Sequence, residues 1–181
     1  PKPDYHIHIV PSSGWSAIKL NELWEYRELL LHLTWRDILV RYKQTILGAS
    51  WAILQPFLTM VVFTLFFGKL AKIPSDGIPH PIFYYSGLVP WTFFATRMAL
   101  ASNSLVGSSN MLKKIYFPRM ALPISAVLGG FVDFALAFIV LLGMMFFYGI
   151  APTINVVWLP VLLFIIFNTT LGISLWLSAL N

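Results

Sequence analysis

Long apolar stretches alternate with short polar connectors along most of the chain. The stretches run over about 46–68, 82–106, 120–148 and 156–180, and the connectors are 69–80, 107–119 and 149–155. A helix needs about 20 apolar residues to cross the hydrocarbon core of a bilayer. Each stretch is long enough, so the pattern predicts an all-α membrane protein, a polytopic helical bundle with four spans. Residues 1–45 form a separate N-terminal segment, and 46–181 form the transmembrane domain. Prolines punctuate the spans. Pro56 is expected to kink the first. Pro90, preceded by Gly87, is expected to divide the second into a short interfacial piece and a helix starting at Trp91.

Before the first span the periodicity changes. Glu22, Glu25, Glu28, His32 and Arg36 fall three or four residues apart, on one side of a helix. Leu23, Tyr26, Leu30 and Leu33 share another side, which Trp24, Leu31, Trp35 and Ile38 widen. Asn21 suits the N-cap, and Glu22 and Glu25 suit the positive end of the helix dipole. Asp37 and Arg41 are placed for an i,i+4 pair. The reading is an amphipathic helix lying in the cytoplasmic interface, with Glu22, Trp24, Arg27, Glu28, Trp35, Arg36, Asp37 and Arg41 as its interfacial residues. Packing of the same helix on protein is the lesser reading.

Composition agrees. The chain of 181 residues is 58% hydrophobic and 10% charged, against about a quarter charged in soluble domains. So few charges cannot cover a globular surface, and lipid must solvate most of it. A net charge of +5 raises nucleic acid as a partner, but the basic residues cluster beside the apolar spans. Lys2, Lys19, Arg27, Arg36, Arg41 and Lys43 precede the first span, and Lys113, Lys114 and Arg119 lie in the middle connector. Only Lys69 and Lys72 lie in the outer connectors. The asymmetry places the N-terminus and the middle loop in the cytoplasm. Pro1 is not a methionine and no signal peptide is visible, so the start is expected to be processed or incomplete.

No enzyme site or metal-ligand spacing emerges, and the Gly-x-x-x-x-Gly-Lys-Ser/Thr phosphate loop is missing. Arg97 and Asp133 are ionisable residues within spans, where charge is expensive. Each lies 18 residues from Ile115, since 115 − 97 = 18 and 133 − 115 = 18. An antiparallel pair of helices therefore brings them to similar depth. A mutual ion pair is the preferred reading for Asp133; for Arg97 a polar lining that meets substrate stays open. Aromatic residues make up 16% of the chain. Trp158 and Trp176 read as interfacial anchors at opposite ends of the last span. Tyr84, Tyr85, Trp91, Phe93 and Phe94 stand denser than a belt requires, and aromatic faces can stack on sugar rings. An interfacial belt is the preferred reading for them. In the middle loop Ile115, Tyr116 and Phe117 are apolar residues among charges, which marks a docking surface.

Several ordered segments resemble a known family. They are Glu22-Leu-Trp-Glu-Tyr-Arg-Glu-Leu-Leu, Trp35-Arg-Asp-Ile-Leu-Val-Arg-Tyr-Lys-Gln, Gly48-Ala-Ser-Trp-Ala-Ile-Leu-Gln-Pro56 and Ser86-Gly-Leu-Val-Pro-Trp-Thr-Phe-Phe94. Further on come Lys114-Ile-Tyr-Phe-Pro-Arg119, Pro123, Val132-Asp-Phe134 and Leu177-Ser-Ala-Leu-Asn181. Together they resemble the polysaccharide and polyol-phosphate export branch of the ABC-2 type permeases, which serves O-antigen, capsule and teichoic acid. The resemblance implies a subunit with six spans, of which four are seen here, and the remainder is expected to lie outside this sequence. It implies a homodimer in the bacterial cytoplasmic (inner) membrane, partnered by two copies of a separate ABC ATPase that binds ATP and Mg. The cargo is a lipid-linked polysaccharide, and Trp51, Tyr84, Tyr85, Trp91, Phe94 and Arg97 are the candidates for its translocation path. Cofactors in this chain, a metal and nucleic acid are not expected. The loop Lys113, Lys114, Ile115, Tyr116, Phe117, Pro118 and Arg119 corresponds to the surface facing the ATPase. The alternatives are a permease for teichoic acid or for a small lipid or drug, and a membrane-embedded lipid-modifying transferase.

Overall fold

The computed structural model describes residues 24–43, 46–75, 77–109, 113 and 118–180. Every regular element among them is helical. The helices are α1 (Arg27–Lys43), α2 (Ile46–Phe63), α3 (His80–Ser102), the short α4 (Ser104–Gly107), α5 (Ala121–Leu128), α6 (Gly130–Phe147) and α7 (Leu159–Leu180). A π-helical turn, Thr64–Leu70, prolongs α2, and a 3-10 turn, Ile154–Trp158, leads into α7.

Three segments are long and apolar enough to cross a membrane: Ile53–Leu70, Ala121–Phe147 and Ile154–Leu180. They coincide with the first, third and fourth expected spans. The second expected span is different. Its helix, α3, has 23 residues, about 34 Å at 1.5 Å per residue, yet it carries Ser86, Gly87, Thr92, Thr96, Arg97 and Ser102 and is the less apolar for it. The reason is its position. It packs against α2, α5, α6 and α7 at once, and it buries Ile82, Tyr85, Leu88, Val89, Phe93, Arg97 and Ala101. Pro90 lies inside this continuous helix, which starts at His80 with Pro81 in its first turn. The expected break before Trp91 is therefore corrected.

The outer helices are inverted relative to a soluble protein. In α7 the buried residues are Thr170, Ser174 and Ser178, four apart on one face, while Leu162, Phe164, Ile165 and Trp176 are exposed. Small polar residues let α7 approach α3 closely, and the apolar side faces outward. Only an apolar solvent favours that arrangement. The core, Met60, Ile82, Tyr85, Val89, Phe93, Val127, Phe134 and Leu141 among others, gathers around α3. Edge-on aromatic contacts such as Phe93–Phe134, with centroids 5.9 Å apart, support it.

The N-terminal helix packs on protein as well. Leu33 of α1 is buried against Ala121 and Leu122 at the start of α5, with Leu29 and Leu105 beside it. Trp24, Leu31, Trp35, Leu39 and Val40 remain exposed. Its apolar side chains thus point both toward α5 and away from it.

Candidate functional site

Side chains at the end of α1 reach across to α6. Arg41 donates to the Asp133 carboxylate of α6 at 2.6 Å. Its neighbour Tyr42 donates its phenol to the other carboxylate oxygen. Arg97 of α3 donates to the same oxygen as Arg41 and, at 3.1 Å, to the carbonyl of Ala126 in α5. Three side chains from two helices therefore meet on the carboxylate of a third. Arg97 is 4% exposed, so its charge depends on Asp133 and the Ala126 carbonyl for solvation. Burial first, then the hydrogen bond to Asp133, pushes the Tyr42 phenol above its ordinary value. At neutral pH it is a proton donor and carries no charge.

The site needs a glycine. A Cβ built on Gly130 meets the Arg97 side chain at Nε, at Cδ (2.6 Å) and at Cγ (2.7 Å). Arg97 lies flat on α6 only because residue 130 has no side chain. The expected Arg97–Asp133 pair is present. The expected Asp37–Arg41 pair is not: Asp37 accepts from Arg36 at 2.9 Å, and Arg41 pairs with the half-buried Asp133 carboxylate. Water and salt screen a half-buried pair less than one at an exposed helix surface.

Beside the cluster lies a cavity of about 510 Å³ between α2, α3 and α6. Arg41, Arg97 and Asp133 line one part of it, and Trp51, Pro56, Val89, Phe93, Phe134 and Ala137 line most of the rest. Gln55, Thr92 and Thr96 also line a second, more open groove of about 810 Å³ with Thr59, Tyr84, Ser86 and Trp91. The groove alternates hydroxyls and an amide with aromatic faces. Of the six path candidates, Trp51 and Arg97 line the cavity, Tyr84 and Trp91 the groove, and Phe94 a third recess with Trp91. Tyr85 is 0% exposed and lies in the core.

In the middle loop Lys113 and Arg119 are exposed and Pro118 is half-buried. The Pro118 carbonyl accepts from Ala121 N at 2.9 Å, which starts α5. Lys114, Ile115, Tyr116 and Phe117 lie outside the described residues, as does Glu22. Among the described residues no group of three or more His, Cys, Asp or Glu is placed to hold a metal ion.

Sequence reasoning missed Tyr42, Gln55, Thr92, Thr96 and Gly130. Tyr42 had a visible signal, standing between Arg41 and Lys43 just before a span. The others needed the packing of three helices to give them meaning.

A helical bundle with an apolar exterior, a buried polar stripe and a shared half-buried carboxylate is a polytopic membrane protein. Residues 28–181 match the family described as ABC-2 type transporter, and the chain belongs to that family. It is 34% identical over 163 residues, 90% of its length, to the O-antigen export system permease protein RfbA of Myxococcus xanthus, covering 62% of that protein. It is 31% identical over 155 residues, 85% of its length, to the protein of the same name from Klebsiella pneumoniae, covering 59%. It is 28% identical over 93 residues, 51% of its length, to the polysialic acid transport protein KpsM of Escherichia coli, covering 34%. The chain thus spans about three fifths of the length of the two export permeases.

Proposed function

We propose that this chain is the membrane-spanning permease part of an ATP-driven exporter of lipid-linked surface polysaccharide. The observation that carries this is its 34% identity, over 90% of its length, to an O-antigen export permease. The groove of Tyr84, Trp91, Ser86, Thr59 and Gln55 supports it chemically: aromatic faces stack on sugar rings while hydroxyl and amide groups bond to sugar hydroxyls. In this reading the chain is a transport subunit and not an enzyme. ATP and Mg belong to a separate ATPase, two copies of the permease form the path, and the protein sits in the inner membrane. Its N-terminal segment 1–45 and the loop 107–119 face the cytoplasm. The helix α3 is then a fourth crossing, sheathed by its neighbours. The Lys113–Arg119 loop and α1 supply the contacts that the ATPase moves, and rigid-body motion carries to the spans through the packing of α1 on α5 and the Asp133 cluster.

The test is a deletion strain. Surface polysaccharide should disappear and return with a plasmid copy of the full-length gene, and the tagged full-length protein should co-purify with an ABC ATPase. Undiminished surface polysaccharide in the deletion strain would overturn the reading.

A further inference from the structure

Charge within the cluster does not balance. Two guanidinium groups, Arg41 and Arg97, converge on one carboxylate, Asp133. Tyr42 adds a hydrogen bond and no negative charge. Among the described residues no second carboxylate lies within 4 Å of either arginine. The Ala126 carbonyl solvates Arg97 but cannot neutralise it. One positive charge is left over in a largely apolar setting, where an uncompensated charge is costly.

The surplus has an address. Arg97 spends two of its nitrogens on Asp133 and Ala126 and is 4% exposed. Arg41 uses Nη1 on Asp133 and keeps its other donors, with 30% of its side chain exposed, where it lines the 510 Å³ cavity. That volume suits a small-molecule site. The cavity is amphiphilic: charge at one part, Trp51, Phe93 and Phe134 at another. A guanidinium with free donors matches the geometry of phosphate oxygens. An apolar wall matches a hydrocarbon chain.

We propose that this cavity binds the phosphate group of a lipid headgroup, with Arg41 as the direct ligand and the apolar wall taking the chain. Asp133 is a positioning residue that holds both arginines and trims the local charge from two to one. The inference deepens the export reading and rests on it for the membrane setting: it names the part of a lipid-linked cargo that this chain grips.

The full-length protein in dodecylmaltoside micelles is titrated with dioleoyl phosphatidic acid, with dioleoylglycerol, and with inorganic phosphate; bound lipid is read by native mass spectrometry and phosphate by competition. Phosphatidic acid should bind, dioleoylglycerol should not, and inorganic phosphate should compete only weakly. Arg41→Gln should weaken phosphatidic acid binding about tenfold, while Lys43→Gln, which removes an equal charge nearby, should leave it unchanged. Asp133→Asn should tighten binding, because it raises the net charge; a purely structural role predicts the opposite sign. Equal binding of dioleoylglycerol, equal affinity for inorganic phosphate, or wild-type binding by Arg41→Gln would each overturn the proposal. Surface polysaccharide is scored separately in the deletion strain. A protein that binds phosphatidic acid without supporting export overturns the export reading alone, and one that exports without binding overturns this site alone.

Discussion

Arg41 and Asp133 stand 92 positions apart in the chain and meet at 2.6 Å. The contact fastens the last turn of the N-terminal helix to the third apolar segment, at the point where Arg97 of the central helix also arrives. Removing Asp133 orphans two guanidinium groups; removing Arg97 with it leaves only one, partly exposed. Asp133→Ala should therefore destabilise the protein more than its share of an additive sum. In a double-mutant cycle with Arg97→Met, thermal unfolding followed by tryptophan fluorescence should give a coupling of about 1–3 kcal/mol. Additive losses would show that the two residues act separately.

Gly130 makes a sharper test, because the change adds one carbon and no charge. Its new Cβ must displace the Cγ and Cδ of a fully packed Arg97. Gly130→Ala should lower folded yield on size-exclusion chromatography about as much as Arg97→Ala, which removes the atoms the new Cβ meets. A double variant no worse than either single variant is the signature. Independent defects would mean that the close approach is not what Gly130 provides.

Trp91 is exposed at 62% on the central helix α3, and it shares its groove with Tyr84. Trp91→Ala should leave abundance intact and reduce export about fivefold, the worth of roughly 1 kcal/mol of lost stacking. Surface polysaccharide measured by immunoblot against permease abundance decides it; unchanged export would remove Trp91 from the path.

For the middle loop the expectation rests on sequence. Tyr116→Ala or Phe117→Ala should uncouple ATP hydrolysis from export with normal insertion, since aromatic anchors often exceed about 2 kcal/mol at interfaces. Lys113→Ala, a rim charge, should be milder. Export at wild-type levels with both aromatic variants would reduce the loop to a positively charged connector.

Orientation is testable by thiol labelling in intact cells. Cysteines at Ile78 and Thr153, both exposed, should react with an impermeant reagent from outside, and one at Ser109 only after permeabilisation. Ser75 is unsuitable, being buried with its hydroxyl bonded to the Ile78 carbonyl at 2.6 Å. Labelling of Ser109 from outside would invert the topology.

Much of the architecture was legible because lipid imposes a simple rule on outward-facing residues. Segments that touch it must be apolar, and three of the four expected spans announce themselves in that way. The rule weakens for α3, where neighbouring helices replace lipid along much of the surface. There Pro90 misled, since packing on four helices holds a continuous helix through it. Depth was also legible: counting from Ile115 matched Arg97 with Asp133, because two helices joined by one loop rise together. What counting cannot show is which third helix comes to the pair. Arg41 had a plausible local partner in Asp37, and the half-buried Asp133 carboxylate took its place. The groove was half-legible, its aromatics conspicuous and its Gln55, Thr92 and Thr96 ordinary until placed side by side.

The π-helical turn Thr64–Leu70 bears on how the first span tolerates changes of length. Its closing bonds skip one residue more than an α-helix does, as when Ala71 N reaches Phe66 O at 2.8 Å. One turn therefore stores one surplus residue. Deleting a single residue elsewhere in an α-helix rotates everything beyond it by about 100° and sends lipid-facing side chains into the bundle. A deletion inside 64–70 is absorbed instead, the wide turn tightening to an ordinary one with both flanks keeping their faces. Length variation among related first spans is expected to collect at this turn, where it leaves no mark on the packing on either side.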